Sequence, residues 1–222
     1  MTSKSLIIRY LLMIPGVFFF SFGIAFVTKA GLGTSPISSI PYSLSMICPM
    51  FTMGNYTIAI NALMVLAQIV ILRNKTGADM GRASGKAITA GDVVSQLVIS
   101  FVMGYMVDFS LWLLSWFSPS AYWLRILSGF LGSAIMALGI SIQLRANVSM
   151  APGDALVKAV SVVTGKVYGR MKLICDATMV VISAILCLVF LHNLAGVREG
   201  TIICVITTGN VIRFLRKYVI KG

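Results

Sequence analysis

Six stretches of the chain are apolar and nearly uncharged over about the ~20 residues that a helix needs to cross a bilayer. The first covers residues 10–28, between Arg9 and Lys29. Residues 30–72 are uncharged for longer than one span, but the turn-rich segment from Gly31 to Pro41 interrupts them and leaves 56–72 as the second. The third starts at Val93, carries Asp108 as its one charge, and ends near Phe117 before Ser118-Pro119-Ser120. Residues 126–144 make the fourth, and residues 173–191 the fifth, with Asp176 inside it. The sixth and weakest covers residues 200–211 and reaches toward Phe214, with Arg213 snorkelling. The first stretch is longer than a signal-peptide core and no small-x-small site precedes a polar start, so it is expected to stay as a span.

Composition agrees with this pattern. Of 222 residues, 58% are hydrophobic and 11% charged, with a mean hydropathy of +0.96. Soluble domains carry roughly 25% charged residues, and a chain this short cannot hide so much apolar surface in one aqueous core. The net charge of +12 would suggest nucleic acid in a soluble protein. On six spans with the N-terminus inside, fifteen of the 18 basic residues fall on the inner side: Lys4, Arg9, Arg73, Lys75, Arg82, Lys86, Arg145, Lys158, Lys166, Arg170, Lys172, Arg213, Arg216, Lys217 and Lys221. Lys29, Arg125 and Arg198 fall outside. That bias puts both termini in the cytoplasm and replaces a nucleic-acid partner with the lipid bilayer. Trp112, Trp116, Tyr122 and Trp123 form an outer aromatic belt. Cys48, Cys175, Cys187 and Cys204 form no CxxC pair and read as small buried hydrophobes.

The chain also resembles itself. At an offset of 116 residues, Gly23, Ile24, Lys29, Ala30 and Pro36 match Gly139, Ile140, Arg145, Ala146 and Pro152. After a one-residue deletion, Gly54, Asn61, Ala62 and Met64 match Gly169, Asp176, Ala177 and Met179. A looser match aligns Gly104 with Gly209 and Phe109 with Phe214. The expected fold is therefore one all-α transmembrane domain over residues 1–222, with repeats of about 7–117 and 121–217. An odd number of spans per repeat inverts the second copy, the plan of many secondary transporters.

After its first span each repeat carries a break of small and turn-forming residues, Gly31 to Pro36 in one and Asn147 to Asp154 in the other. About 12 moderately apolar residues follow, too few to span. Proline at a first helical turn marks a helix start. Each segment is read as a half-helix dipping in from its own face, its N-terminus suited to an anionic or carboxylate-bearing solute, whereas Asp154 in a central cavity would choose a cationic or zwitterionic one, so the sign of the solute's charge stays open. Two amphipathic helices lying on opposite surfaces are the structural alternative.

The AGLGTSP stretch after the first span, the RANVSMAPGDAL stretch after the fourth and the REGT that opens the sixth resemble the YczE/YyaS/YitT group of bacterial membrane proteins. The resemblance covers nearly the whole chain. It implies a polytopic protein of the bacterial plasma membrane with no established biochemical activity, and it adds no catalytic residues.

For solute binding the sequence points to Gly31, Gly33, Thr34, Ser35 and Pro36, and to Ala151, Pro152, Gly153 and Asp154. For coupling or gating it points to Asn61, Asp176 and Asp108, because charge within a span is costly. Each acid has a plainer role available. Asp176 can pair with Lys172 four residues earlier, Asp154 can cap the second half-helix, and Asp108 can snorkel or meet Arg125. Glu199 suits a helix N-terminus, and His192 is expected to be wetted at a helix end. No catalytic constellation, metal spacing or cofactor motif is present, so an enzyme is not expected. The expected function is alternating-access transport of an unknown small solute. A membrane-embedded binding subunit of a larger transport complex and a scaffold or regulator are the alternatives, and so thin a bundle leaves room for a homodimer.

Overall fold

The computed structural model describes residues 3–73, 90–146, 151–194 and 196–218. Among these the chain forms eight α-helices and no strand: α1 (Ser3–Lys29), α2 (Pro36–Ile47), α3 (Met53–Arg73), α4 (Ala90–Leu113), α5 (Tyr122–Ala146), α6 (Pro152–Thr164), α7 (Tyr168–Leu191) and α8 (Glu199–Tyr218). Their ends follow local chemistry. Pro36 and Pro152 open α2 and α6, where a missing N–H costs nothing, and residues at positive φ (Gly165 at 66°, His192 at 52°) close α6 and α7.

Helices α1, α3, α4, α5 and α7 are long and apolar enough to cross a membrane. The expected sixth span is the exception: the apolar part of α8, Glu199–Ile212, is shorter. Thr207, Thr208 and Asn210 dilute its middle, and Arg213, Arg216 and Lys217 load its end. The third span also ends earlier than expected, at Leu113 rather than near Phe117, because its bonding tightens from Leu114 N–Ser110 O to Ser115 N–Trp112 O.

Helices α1 and α5 cross antiparallel at the centre, and glycines set the closeness. A side chain on Gly23 would come within 2.6 Å of Met136 N, and one on Gly16 within 2.9 Å of Gln143 Cγ. Where lipid replaces water, helices associate through such close packing rather than through expulsion of solvent. Helix α4 lies along α1, and α8 along α5. Helix α3 packs on α4, α2 and α6, while α7 packs on α2 and α6.

Outward faces are apolar, most openly on α7, where Leu173, Val181, Ile185, Leu188 and Phe190 are exposed. A bilayer is the solvent that suits them. Trp112, Trp116, Tyr122 and Trp123 are all exposed around the α4–α5 turn, which marks one end of the bundle, hereafter the tryptophan end. The cysteines divide: Cys187 and Cys204 are buried, Cys175 is half-buried, and Cys48, expected inside, is exposed where α2 ends.

Candidate functional site

The first break is a buried turn. Gly31 and Gly33 take φ of 72° and 96°, a region that L side chains rarely adopt. A side chain on Gly33 would also come within 2.8 Å of Arg198 N and Thr201 Oγ1. The turn and the start of α8 lock together, with Gly200 N donating to Leu32 O at 2.8 Å and Arg198 Nη1 to Gly31 O at 3.3 Å. Thr28 Oγ1 donates to Ile24 O at 2.8 Å and sits 3.0 Å from Thr34 Oγ1. Ser35 occupies the position before α2, yet its hydroxyl caps nothing and, although 1% exposed, has no hydrogen-bond partner.

In the second break, Asn147, Val148, Ser149 and Met150 lie outside the described residues. Ala151 precedes α6, whose turn closes by Ala155 N donating to Ala151 O at 2.9 Å. Pro152 and Gly153 are buried, and Ile37 fills the space a side chain on Gly153 would need. Gln68 Nε2 on α3 holds Pro152 O at 3.0 Å. The first turns of α2 and α6 thus meet in the interior, and from these buried starts α2 runs to a half-buried end and α6 to an exposed one. That course differs from two amphipathic helices lying on opposite surfaces.

The acidic residues fall into separate places. Lys172 Nζ lies 2.8 Å from Asp154 Oδ1 and 3.3 Å from Asp176 Oδ1, so one ammonium on α7 serves a carboxylate from α6 and another from its own helix. Tyr168 OH also donates to Asp154 at 3.3 Å. Asp154 makes no cap bond. It turns sideways to α7 instead. Asn61, which the sequence repeat aligns with Asp176, is 3% exposed on α3, and its Nδ2 has no partner among the described residues. Asp108 receives Gly54 N at 2.8 Å and Thr52 Oγ1 at 2.5 Å, which satisfies donors at the start of α3, while Arg125 Nε goes to Pro119 O at 2.9 Å. Glu199 stays exposed in the first turn of α8, 3.5 Å from Arg198. Among the described residues no cluster of His, Cys, Asp or Glu could hold a metal ion.

Two polar networks join the half-helices to their neighbours, and the sequence reading did not single them out. Gln68 Nε2 also reaches Gln96 Oε1 on α4 at 3.1 Å. The Cys187 thiol, Ser43 and Ser183 form a chain (3.1 and 2.7 Å) that ends with Ser183 donating to Ser39 O at 3.0 Å, tying α7 to α2. The available signal was an amide or hydroxyl in the middle of an apolar run, since such a group needs a partner at membrane depth.

Residues 7–217 match the family model of DUF6198, a family of unknown function. No curated protein and no solved structure matches the chain.

Proposed function

We propose that this chain, which belongs to the DUF6198 family, moves a small solute across the bacterial cytoplasmic membrane by alternating access. In this reading two inverted three-span repeats rock about the meeting point of α2 and α6, and both termini are cytoplasmic. The carrying observation is one pair of glycines that is packed in one half and apart in the other. Gly54 on α3 and Gly104 on α4 touch, since a side chain on Gly104 would come within 2.7 Å of Gly54 O. Their repeat partners, Gly169 on α7 and Gly209 on α8, have nothing within 4 Å of that position. Equivalent packing surfaces used in one half only are what two inverted repeats present when one side is closed and the other open.

Two further patterns support the repeat. The α1–α5 crossing obeys its offset of 116: Gly16 meets Gln143 as Val27 meets Gly132, and Gly23 meets Met136 as Phe20 meets Gly139. Ile37 and Gly153, also equivalent by that offset, touch each other, as residues beside a two-fold axis do. Solvent access follows the same asymmetry. Ser38, Thr57 and Asn61 are 2–3% exposed, while the side chains of their partners Asp154, Lys172 and Asp176 are 20–31% exposed. In this reading the helices are packed more tightly toward the tryptophan end, with a cavity left at its mouth, and stand further apart toward the other end, which the charge bias would make the cytoplasmic side.

A cysteine pair tests it. In a chain whose native cysteines are replaced, Gly169→Cys with Gly209→Cys should cross-link slowly under mild oxidation, as α7 and α8 close during the cycle. The link should stop uptake of a metabolite panel into proteoliposomes, and reduction should restore it. A binding subunit or scaffold that does not rock would leave the pair unlinked and the panel outside. If Asp176→Asn and Asp154→Asn left every flux unchanged, the coupling assignment would fall while the rocking remained.

A further inference from the structure

The three basic residues placed on the outer side by the charge pattern lie far apart in sequence, yet they gather at one turn. Lys29 ends α1, two residues before Gly31. Arg125 Nη1 lies 3.9 Å from where a side-chain carbon on Gly31 would sit, and Arg198 Nη1 donates to Gly31 O at 3.3 Å. Beside them, at the tryptophan end, a cavity of about 230 Å³ is lined by Thr28, Lys29, Tyr42, Ser45, Met53 and Leu111. At about 30 Å³ of liquid per water, that is room for roughly eight waters, or for a solute of a few heavy atoms.

Among the described residues Lys29 is the one charged side chain lining the cavity, and no carboxylate pairs with it. Asp108, one turn before Leu111, is already held by Thr52 and Gly54. Glu199 offsets Arg198 from an exposed position. Tyr42 and Ser45 add hydroxyls to the lining, and both can donate. Along the same faces α2 continues inward from Tyr42 to Ser38 and α3 from Met53 to Thr57 and Asn61, whose Nδ2 is unpartnered among the described residues. A half-buried ammonium with no counter-ion among the described residues, donors around it and two guanidiniums at the adjoining Gly31 turn favour an anion.

We propose that this cavity is the outer capture site for a small carboxylate, with Lys29 as its charged ligand, Tyr42 and Ser45 as donors, and Arg125 and Arg198 steering the anion in. Its place in transport rests on the alternating-access reading; the binding itself does not. The expected discrimination comes from charge, since a neutral amide of the same shape leaves Lys29 unpaired.

The test is calorimetric binding of lactate and of succinate to the full chain in detergent, with lactamide as the neutral control. At least one carboxylate should bind, more weakly as sodium chloride rises, and lactamide should not. Lys29→Met should weaken binding about tenfold or more, and Lys29→Arg should keep it within about threefold, as for a charged hydrogen bond. Because Lys29 also stabilises the end of α1, each variant's melting temperature without solute is its own reference. Binding of neither carboxylate, equal binding of lactate and lactamide, or a Lys29→Met protein that binds normally would each overturn the site. Labelled-lactate uptake into proteoliposomes separates this from the transport reading. Lys29-dependent binding without uptake would retire transport and keep the site, while uptake of a neutral solute unchanged by Lys29→Met would retire the site and keep transport.

Discussion

Single residues with the same sequence signature meet different fates. Gly33, Gly165 and Gly169 read alike, but Gly33 combines a positive φ with a crowded surround, Gly165 has the φ alone, and Gly169 has neither. Alanine at Gly33 should cost about 2–3 kcal/mol or more, at Gly165 about 1 kcal/mol, and at Gly169 nothing, or should stabilise. Melting temperatures in one detergent would rank the three. The acids show the same dependence on surroundings. Asp154→Asn or Asp176→Asn alone should cost about 1 kcal/mol or less, because the groups are partly exposed and Lys172 keeps one partner. Both together strand Lys172, so the double variant should lose more than the sum, and adding Lys172→Met should recover part of the loss. Simple additivity would show that the three do not act as a unit.

At the scale of elements, small residues decide which helices touch. Gly16, Gly23, Gly132 and Gly139 let α1 and α5 approach until the backbone of each leaves no room for a side chain on the other. Gly23→Leu should therefore separate the helices and destabilise the protein by several kcal/mol, as overpacking without room to relax does. Gly129→Ala, whose nearest neighbour would be Ile203 Cδ1 at 3.8 Å, should be tolerated. Comparing the folded fraction of the two variants after extraction would check this. The half-helices are held differently, through Gln68 on Pro152 O and Ser183 on Ser39 O. Gln68→Leu removes the donor and leaves a buried carbonyl without it, at about 1–3 kcal/mol. Cysteine labelling at Ala151 should then speed up, whereas unchanged labelling would show that α6 is fixed by packing on Ile37 alone.

For the whole molecule, the placement of the basic residues predicts an orientation. Reporter domains that are active only outside the cytoplasm should be active when fused after Pro119 and inactive when fused after Lys166. The opposite result would reverse the orientation and with it the side on which the Lys29 cavity opens. The asymmetry between halves belongs to this scale too. Helix α3 is covered by α4, but α7 has no comparable cover from α8 and leaves its apolar face outward.

Run length and charge, read from the sequence, determined the membrane class, the five long helices, the two breaks and the glycine pairs, because a span of apolar residues and a proline at a helix start are local facts. They are weakest at α8, a helix of 20 residues in which polar residues interrupt the apolar ones and only Glu199–Ile212 is apolar. Tertiary structure alone decided that α2 and α6 begin against each other, that Lys172 divides itself between two aspartates, and that Arg125 and Arg198 converge on Gly31. It also decided that Gly54 and Gly104 pack while Gly169 and Gly209 stand apart. The sequence matches these glycines one to one, and no local rule tells the pairs apart. The difference lies in how closely each pair of helices packs, which depends on contacts between elements far apart in the chain.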